Sequence, residues 1–172
     1  MTTSSPASPT AEQLPARTAA VWAALDPLVG AGSPLRVLDV GGGSGMFAVP
    51  LARLGHDVTV VDPSADALAT LRRRADTGGV GARVHGVQGD GDLLHEVLPA
   101  AGDKTGPGTG YDLALCHYVL EVVDDPAVTL GEIARVLRPG GQVSVATANR
   151  AGAVLGRAVA GDAAGPPLGF RR

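Results

Sequence analysis

Two carboxylates and a run of glycines carry the first legible chemistry. Asp39 interrupts the apolar run Val37-Leu-Asp-Val40, and Gly41, Gly42, Gly43 and Gly45 follow at once. Asp62 closes the next apolar run, Val58-Thr-Val-Val-Asp62. Glycines at such a break let the backbone take positive φ and let a ligand approach the main chain closely. Free N–H groups at the mouth of a following helix suit a polar or anionic ligand group. An acid about 20 residues past the loop is placed to accept ribose hydroxyls. The pattern describes a site for a nucleotide-like ligand.

The elements that hold these residues follow from hydrophobic period. Val37 to Val40 reads as a buried strand, and Phe47, Val49 and Leu51 open a helix running to about Leu54, capped by Gly55. Pro50 removes one bond of that helix and is expected to bend it. Asp57 to Asp62 is a second strand, and Pro63-Ser64 signals a helix that turns Leu68 and Leu71 inward. Arg72, Arg73 and Arg74 crowd its end, where cations favour the helix dipole. They read as a solvated helix end, with contact to RNA phosphates as the alternative. Arg83 to Asp90 is a third strand, with Asp92 expected to cap the helix of Leu93, Leu94, Val97 and Leu98. Residues 99–110, rich in glycine, read as a flexible loop at the far end from the cleft.

Tyr111 to His117 forms a fourth strand. Asp125 and Pro126 take the cap and first position of a helix to Leu137. Arg138-Pro-Gly-Gly141 then turns into a fifth strand, Gln142 to Ala148. Upstream, Val21, Trp22, Leu25 and Leu28 recur at helical spacing between Arg17 and Val29. Trp22 reads as a core anchor, with a place in the ligand cleft as the alternative. Residues 1–16 are expected to be a disordered tail, 17–160 one domain and 161–172 an irregular tail. Strands alternating with helices predict an α/β, doubly wound, mostly parallel sheet. Its ligand site lies beyond the carboxyl ends of the strands, where Asp39–Gly45, Asp62, Asp90 and His117 fall.

Composition narrows the class. At 172 residues the chain is one domain by length, and aromatics at 3% leave the core to Val, Leu and Ala. A net charge of −3 gives no global pull toward nucleic acid or anionic membrane. The single cysteine, Cys116, excludes an internal disulfide and a Cys-rich metal site. No apolar run reaches membrane-spanning length and no secretory pattern opens the chain, so a cytoplasmic location is expected.

The glycine register separates two nucleotide types. A dinucleotide fingerprint, G-x-G-x-x-G, needs glycine where Met46 stands counting from Gly41, or Ala48 counting from Gly43. The chain instead reads G-x-G-x-G from Gly41, with Asp39 two residues before it. It resembles motif I of the class I S-adenosylmethionine-dependent methyltransferases. The stretch Y-D-L-x-x-x-H-x-V-L-E-x-V from Tyr111 is similar to the family's motif IV region, and Leu137-Arg-Pro-Gly-Gly141 matches the turn before its fifth strand. The resemblance covers about residues 36 to 148. It implies that Asp39 and the Gly41–Gly45 loop hold the methionine part of S-adenosylmethionine. Asp62, followed by Pro63, would hold the ribose, and Asp90 with Gly91 the adenine edge. Cys116 and His117 end the fourth strand beside the cofactor. No metal is implied.

The expected activity is methyl transfer to a small molecule or to a modified tRNA nucleoside, leaving S-adenosylhomocysteine. His117 is the candidate catalytic residue, as base or acceptor-orienting group, with a capping or core role as the alternative. Cys116 inside an apolar strand reads as a small buried hydrophobe, not a nucleophile. His117-Tyr-Val-Leu-Glu121, Asn149-Arg-Ala-Gly and Ala160-Gly-Asp162 are similar to the branch that esterifies a carboxymethoxyuridine at the tRNA wobble position. The family's closing antiparallel strand pair cannot be drawn from Asn149 to Arg172. The expectation is therefore a truncated form, or an open edge strand that associates with itself or a partner. A non-catalytic binding module and an NAD-dependent oxidoreductase are the competing readings.

Overall fold

The computed structural model describes residues 16–30, 32–98 and 110–148. Residues 1–15 of the expected N-terminal tail, the 99–109 part of the loop, the 149–160 stretch of the expected domain and the expected C-terminal tail lie outside the described residues. Ala16, assigned to the tail, opens the first helix. Helix α1, Ala16–Val29, leads to β1, Arg36–Val40, then α2, Ala48–Arg53, and β2, Asp57–Asp62. Helix α3, Ala65–Thr77, precedes β3, Val84–Gln88, and a short helix α4, Leu94–Val97. Strand β4, Tyr111–His117, helix α5, Pro126–Val136, and β5, Leu137–Ala146, follow.

The five strands form one sheet in the order β3-β2-β1-β4-β5, every pairing parallel. Parallel strands are covered on both faces, so their sequences run apolar without alternation. Val37, Val58, Val60, Leu113 and Leu115 pack on one face with Leu25, Leu51 and Leu71 of α1 to α3. Leu38, Val40, Val61, Ala114 and Cys116 pack on the other with Leu94, Ile133 and Val136 of α4 and α5. The chain order reverses between β1 and β4, which opens a crevice at their carboxyl ends.

Local details correct several expectations. The buried stripe of α1 is Val21, Trp22, Leu25 and Val29, while Leu28 is 38% exposed. Trp22 is a core anchor, buried against Phe47 with ring centroids 5.6 Å apart. Helix α2 begins only at Ala48, so Pro50 falls in its first turn, where the missing N–H costs little and no bend is required. Asp90, not Asp92, caps the short 3-10 turn Gly91–Leu93, accepting from the Asp92 N–H at 3.2 Å. Asp92 instead accepts from the buried Thr129 hydroxyl of α5.

The Arg138–Gly141 turn becomes a bulge inside a longer fifth strand. Tyr111 pairs with Leu137 and Leu113 with Gln142, so five steps of β5 span two of β4. Gly140 at φ +78 makes the kink, and a Cβ on Gly141 would stand 2.9 Å from the Tyr111 carbonyl oxygen. His56, buried between α1 and β1, accepts the Leu35 N–H through Nδ1 and faces the Val29 carbonyl through Nε2. That pairing closes the α1–β1 corner on the side away from the glycines.

Candidate functional site

The glycine loop is shaped by contacts that tolerate no side chain. Gly41, Gly43 and Gly45 hold φ of +65, +54 and +80. A Cβ on Gly42 would lie 2.3 Å from Asp39 Oδ2, and one on Gly45 would lie 2.2 Å from Leu71 Cδ1. Gly45 thus permits the close approach of loop and α3 that a dinucleotide motif obtains from a later glycine. At the two positions where that motif needs glycine, Met46 is 49% exposed and Ala48 fully buried.

Asp62 is locked by the loop it faces. One carboxylate oxygen accepts the Gly43 N–H and the other the Ser64 N–H, each at 2.9 Å. Two charge-assisted bonds fix its orientation and leave lone pairs for hydroxyl donors. Arg74, the last of the arginine triplet, donates to the Ser44 carbonyl at 2.8 Å and approaches its hydroxyl at 3.3 Å. One arginine of the expected solvated end therefore braces the glycine loop.

Two cavities adjoin above the strand ends. The larger, about 350 Å³, is lined by Asp62, Pro63, Asp90, Gly91, Asp92 and Asp124, with Val40, Val61, Val119, Val122 and Val123 contributing apolar wall. The smaller, about 180 Å³, is lined by Thr18, Asp39, Gly42, Ser44, Met46, Phe47 and His117. Gly41 and Tyr118 line both and form the neck between them. The lining of the larger cavity holds four carboxylates and no lysine or arginine, an environment hostile to phosphates and suited to hydroxyl and amino donors.

Asp39 and His117 face the smaller cavity in unusual states. Asp39 is 2% exposed, and its Oδ2 has no hydrogen-bond partner among the described residues. Burial, with Asp62 beside it, pushes its carboxyl up to about 7. His117 offers Nε2 to the Ser144 hydroxyl at 3.0 Å and packs edge-on against Phe47 at 4.9 Å. Its Nδ1 is buried without a partner among the described residues, and burial brings its pKa down to about 4. At neutral pH this imidazole is uncharged and weakly basic.

Asp39, Gly41, Gly42, Asp62, Pro63, Asp90, Gly91 and His117 all line one cavity or the other, while Gly43 and Gly45 shape the loop from behind. Cys116 stands apart. It is fully buried in the core on the α5 side and lines neither cavity. Burial, then Glu121 and Asp39, push its thiol up to about 11, so it is an inert packing group. Thr18, Met46, Phe47 and Tyr118 are wall residues that motif reading missed. Tyr118 alone carried a signal, standing one residue past the end of β4 at the switch point. No spacing rule brings Thr18 of α1 to the cleft.

A doubly wound sheet with a glycine loop, a ribose-type acid and a cleft at the switch point defines a nucleotide-binding α/β protein. Residues 11–163 match the family described as a methyltransferase domain. The chain is 36% identical over 149 residues to the tRNA 5-carboxymethoxyuridine methyltransferase of Escherichia coli K12, covering 85% of this chain and 53% of that protein. It is 34% identical over 129 residues to a ubiquinone biosynthesis O-methyltransferase of Xanthomonas oryzae, covering 73% and 48%. Among solved structures, an S-adenosylmethionine-dependent methyltransferase from Mesorhizobium loti superposes with a TM-score of 0.60 at 27% identity, covering 80% and 56%. The chain belongs to the class I S-adenosylmethionine-dependent methyltransferases. It spans about half the length of the curated relatives it matches.

Proposed function

We propose that this chain binds S-adenosylmethionine across the two cavities and transfers its methyl group to an acceptor entering past His117 and Tyr118. The observation that carries the reading is the neck at Gly41 and Tyr118, which joins a hydroxyl-accepting chamber to one holding a buried, unpaired carboxylate. The residues fit the ligand. Asp39 lacks a donor, which an ammonium group would supply. Asp62 presents oriented lone pairs to a diol. The main chain at Gly41 and Gly42 is bare where a ligand must lie close.

When bound, the sulfonium supplies an activated methyl group, so the protein needs no metal or nucleophile of its own. Asp39 and the Gly41–Gly42 main chain hold the amino-acid end, Asp62 the ribose, and Asp90 with Gly91 the adenine edge. His117, uncharged and tied to Ser144, orients the acceptor by hydrogen bonding through Nδ1 instead of abstracting a proton. Phe47, Tyr118 and Val119 exclude water from the neck, and alignment supplies most of the rate.

The acceptor is a small molecule or a modified tRNA nucleoside, the two kinds named among the relatives. The carboxylates around the larger cavity oppose a nucleic-acid backbone at the cleft itself. A tRNA acceptor would enter through its nucleoside, with phosphate contacts made elsewhere. Calorimetry with S-adenosylmethionine, S-adenosylhomocysteine and NAD on the same protein tests the cofactor. Binding of either sulfur ligand with no NAD binding is expected, and NAD binding without S-adenosylhomocysteine binding overturns the proposal. Product analysis with labelled S-adenosylmethionine, bulk tRNA and mixed small acceptors then separates the two acceptor classes.

A further inference from the structure

Asp39 is 2% exposed, its Oδ2 has no donor among the described residues, and the side chain opens onto the smaller cavity. A bare carboxylate in that setting is costly, and the usual remedy is to keep its proton. The groups around it do not relieve the cost. Asp62 at the end of β2 adds a second negative charge, and as an acceptor of the Gly43 and Ser64 N–H groups it offers Asp39 no donor. On β4, His117 is uncharged near neutrality and Cys116 stays a thiol. Glu121, in the connection after β4, accepts the Ala148 N–H and lines no part of the smaller cavity. Arg74 of α3 spends its guanidinium on the carbonyl and hydroxyl of Ser44. Thr18 of α1 and Met46 and Phe47 before α2 carry no charge.

We propose that Asp39 is protonated in the free protein and surrenders that proton when a ligand ammonium enters the smaller cavity, so that cofactor binding and proton release are one event. The inference rests on the cofactor reading above and adds to it a thermodynamic coupling. The balance is simple: the O–H bond of the Asp39 carboxyl breaks, its proton leaves to solvent, and the carboxylate accepts hydrogen bonds from the ligand's ammonium. The ammonium keeps its own protons, since an α-amino group titrates above about pH 7.5. Below neutrality the ligand must displace a proton that binds progressively more firmly. Affinity therefore falls toward tenfold for each pH unit below about 7, the slope for one proton released.

Titration calorimetry with S-adenosylhomocysteine tests the coupling on the whole chain. Binding at pH 6 in buffers of different ionisation enthalpy counts the protons, and close to one is expected to leave per ligand. Affinity is expected to drop by about fifty-fold between pH 7 and pH 5, the fold-change for a single group titrating near 7. In 5′-methylthioadenosine the amino-acid end is missing, and its binding should release no proton. Asp39→Asn keeps the shape of the side chain and should flatten the pH profile for S-adenosylhomocysteine. The wild-type proton count decides the matter even if that variant folds poorly. S-adenosylhomocysteine binding with no proton release and no pH dependence overturns the coupling and leaves the cofactor reading intact. Absence of S-adenosylhomocysteine binding at every pH overturns both.

Discussion

Asp62 and Asp39 are both acids at strand ends, yet their surroundings give them different work. Two main-chain donors hold Asp62 open toward the larger cavity. Asp62→Ala should therefore weaken S-adenosylhomocysteine binding by about 1–3 kcal/mol, the loss of charge-assisted bonds to a diol. An unchanged dissociation constant in a folded variant removes Asp62 from the site. Asp39 and His117 make a second prediction, about stability. The Asp39 carboxyl is raised from 3.8 to about 7, so its contribution is full below pH 4 and is lost as pH rises through 7. His117 is lowered from 6.5 to about 4, so its contribution is full above pH 6.5 and is lost as pH falls through 4. The two trends oppose each other across the same window. Urea midpoints of the ligand-free wild type should change little between pH 4 and 7 on their account. Asp39→Asn should expose a rise with pH carried by His117, and a variant profile parallel to the wild type refutes the assignment.

The turns at the strand ends are built from close approaches, and they fail in specific ways. Gly45 sits at φ +80 with Leu71 where a Cβ would go. Gly45→Ala should cost about 1–3 kcal/mol through overpacking of α3 against the loop, read as a lowered urea midpoint. Tyr118 is the only described residue other than glycine with positive φ, at 60, and its N–H is tied to the Ala146 carbonyl at 2.7 Å. That bond, together with Val119 packed over Gly41, holds an otherwise unfavourable conformation at the neck of the site. Asn tolerates this region and β-branched residues do not. Tyr118→Val should be about 1–2 kcal/mol less stable than Tyr118→Asn, the cost of a left-handed residue. Equal melting of the two variants means the turn relaxes on substitution.

For the molecule as a whole the open question is the outer edge of β5. Among the described residues no strand pairs with it, and Val143 and Val145 are 44% and 45% exposed. An edge without lysine, proline or inward charge along Gln142–Ala146 is a template for another strand. We expect the chain to self-associate through this edge, with an apparent mass above that of a monomer in size-exclusion chromatography with light scattering. Val145→Lys should shift the population toward monomer. A monodisperse wild-type monomer at high concentration refutes the expectation.

How much of this was legible in the sequence depends on how local each cause is. The strands Asp57–Asp62 and Tyr111–His117 could be drawn to the residue, because apolar runs bounded by glycine, proline or acid state their own limits. The Gly41–Gly45 loop and Asp62 were legible for the same reason, since backbone freedom and an acid ending a strand are properties of neighbours in the chain. The β5 bulge was not, because Arg138–Gly141 is a turn by composition and becomes part of a strand only when β4 pairs on either side of it. Nor was the exchange of roles between Asp90 and Asp92, which depends on the Thr129 hydroxyl arriving from α5. The opposed shifts of Asp39 and His117, one raised and the other lowered, belong to tertiary structure entirely. Sequence places two ionisable side chains at strand ends. Only the packed fold removes their water, sets Asp62 beside one and Phe47 against the other, and so decides in which direction each is shifted.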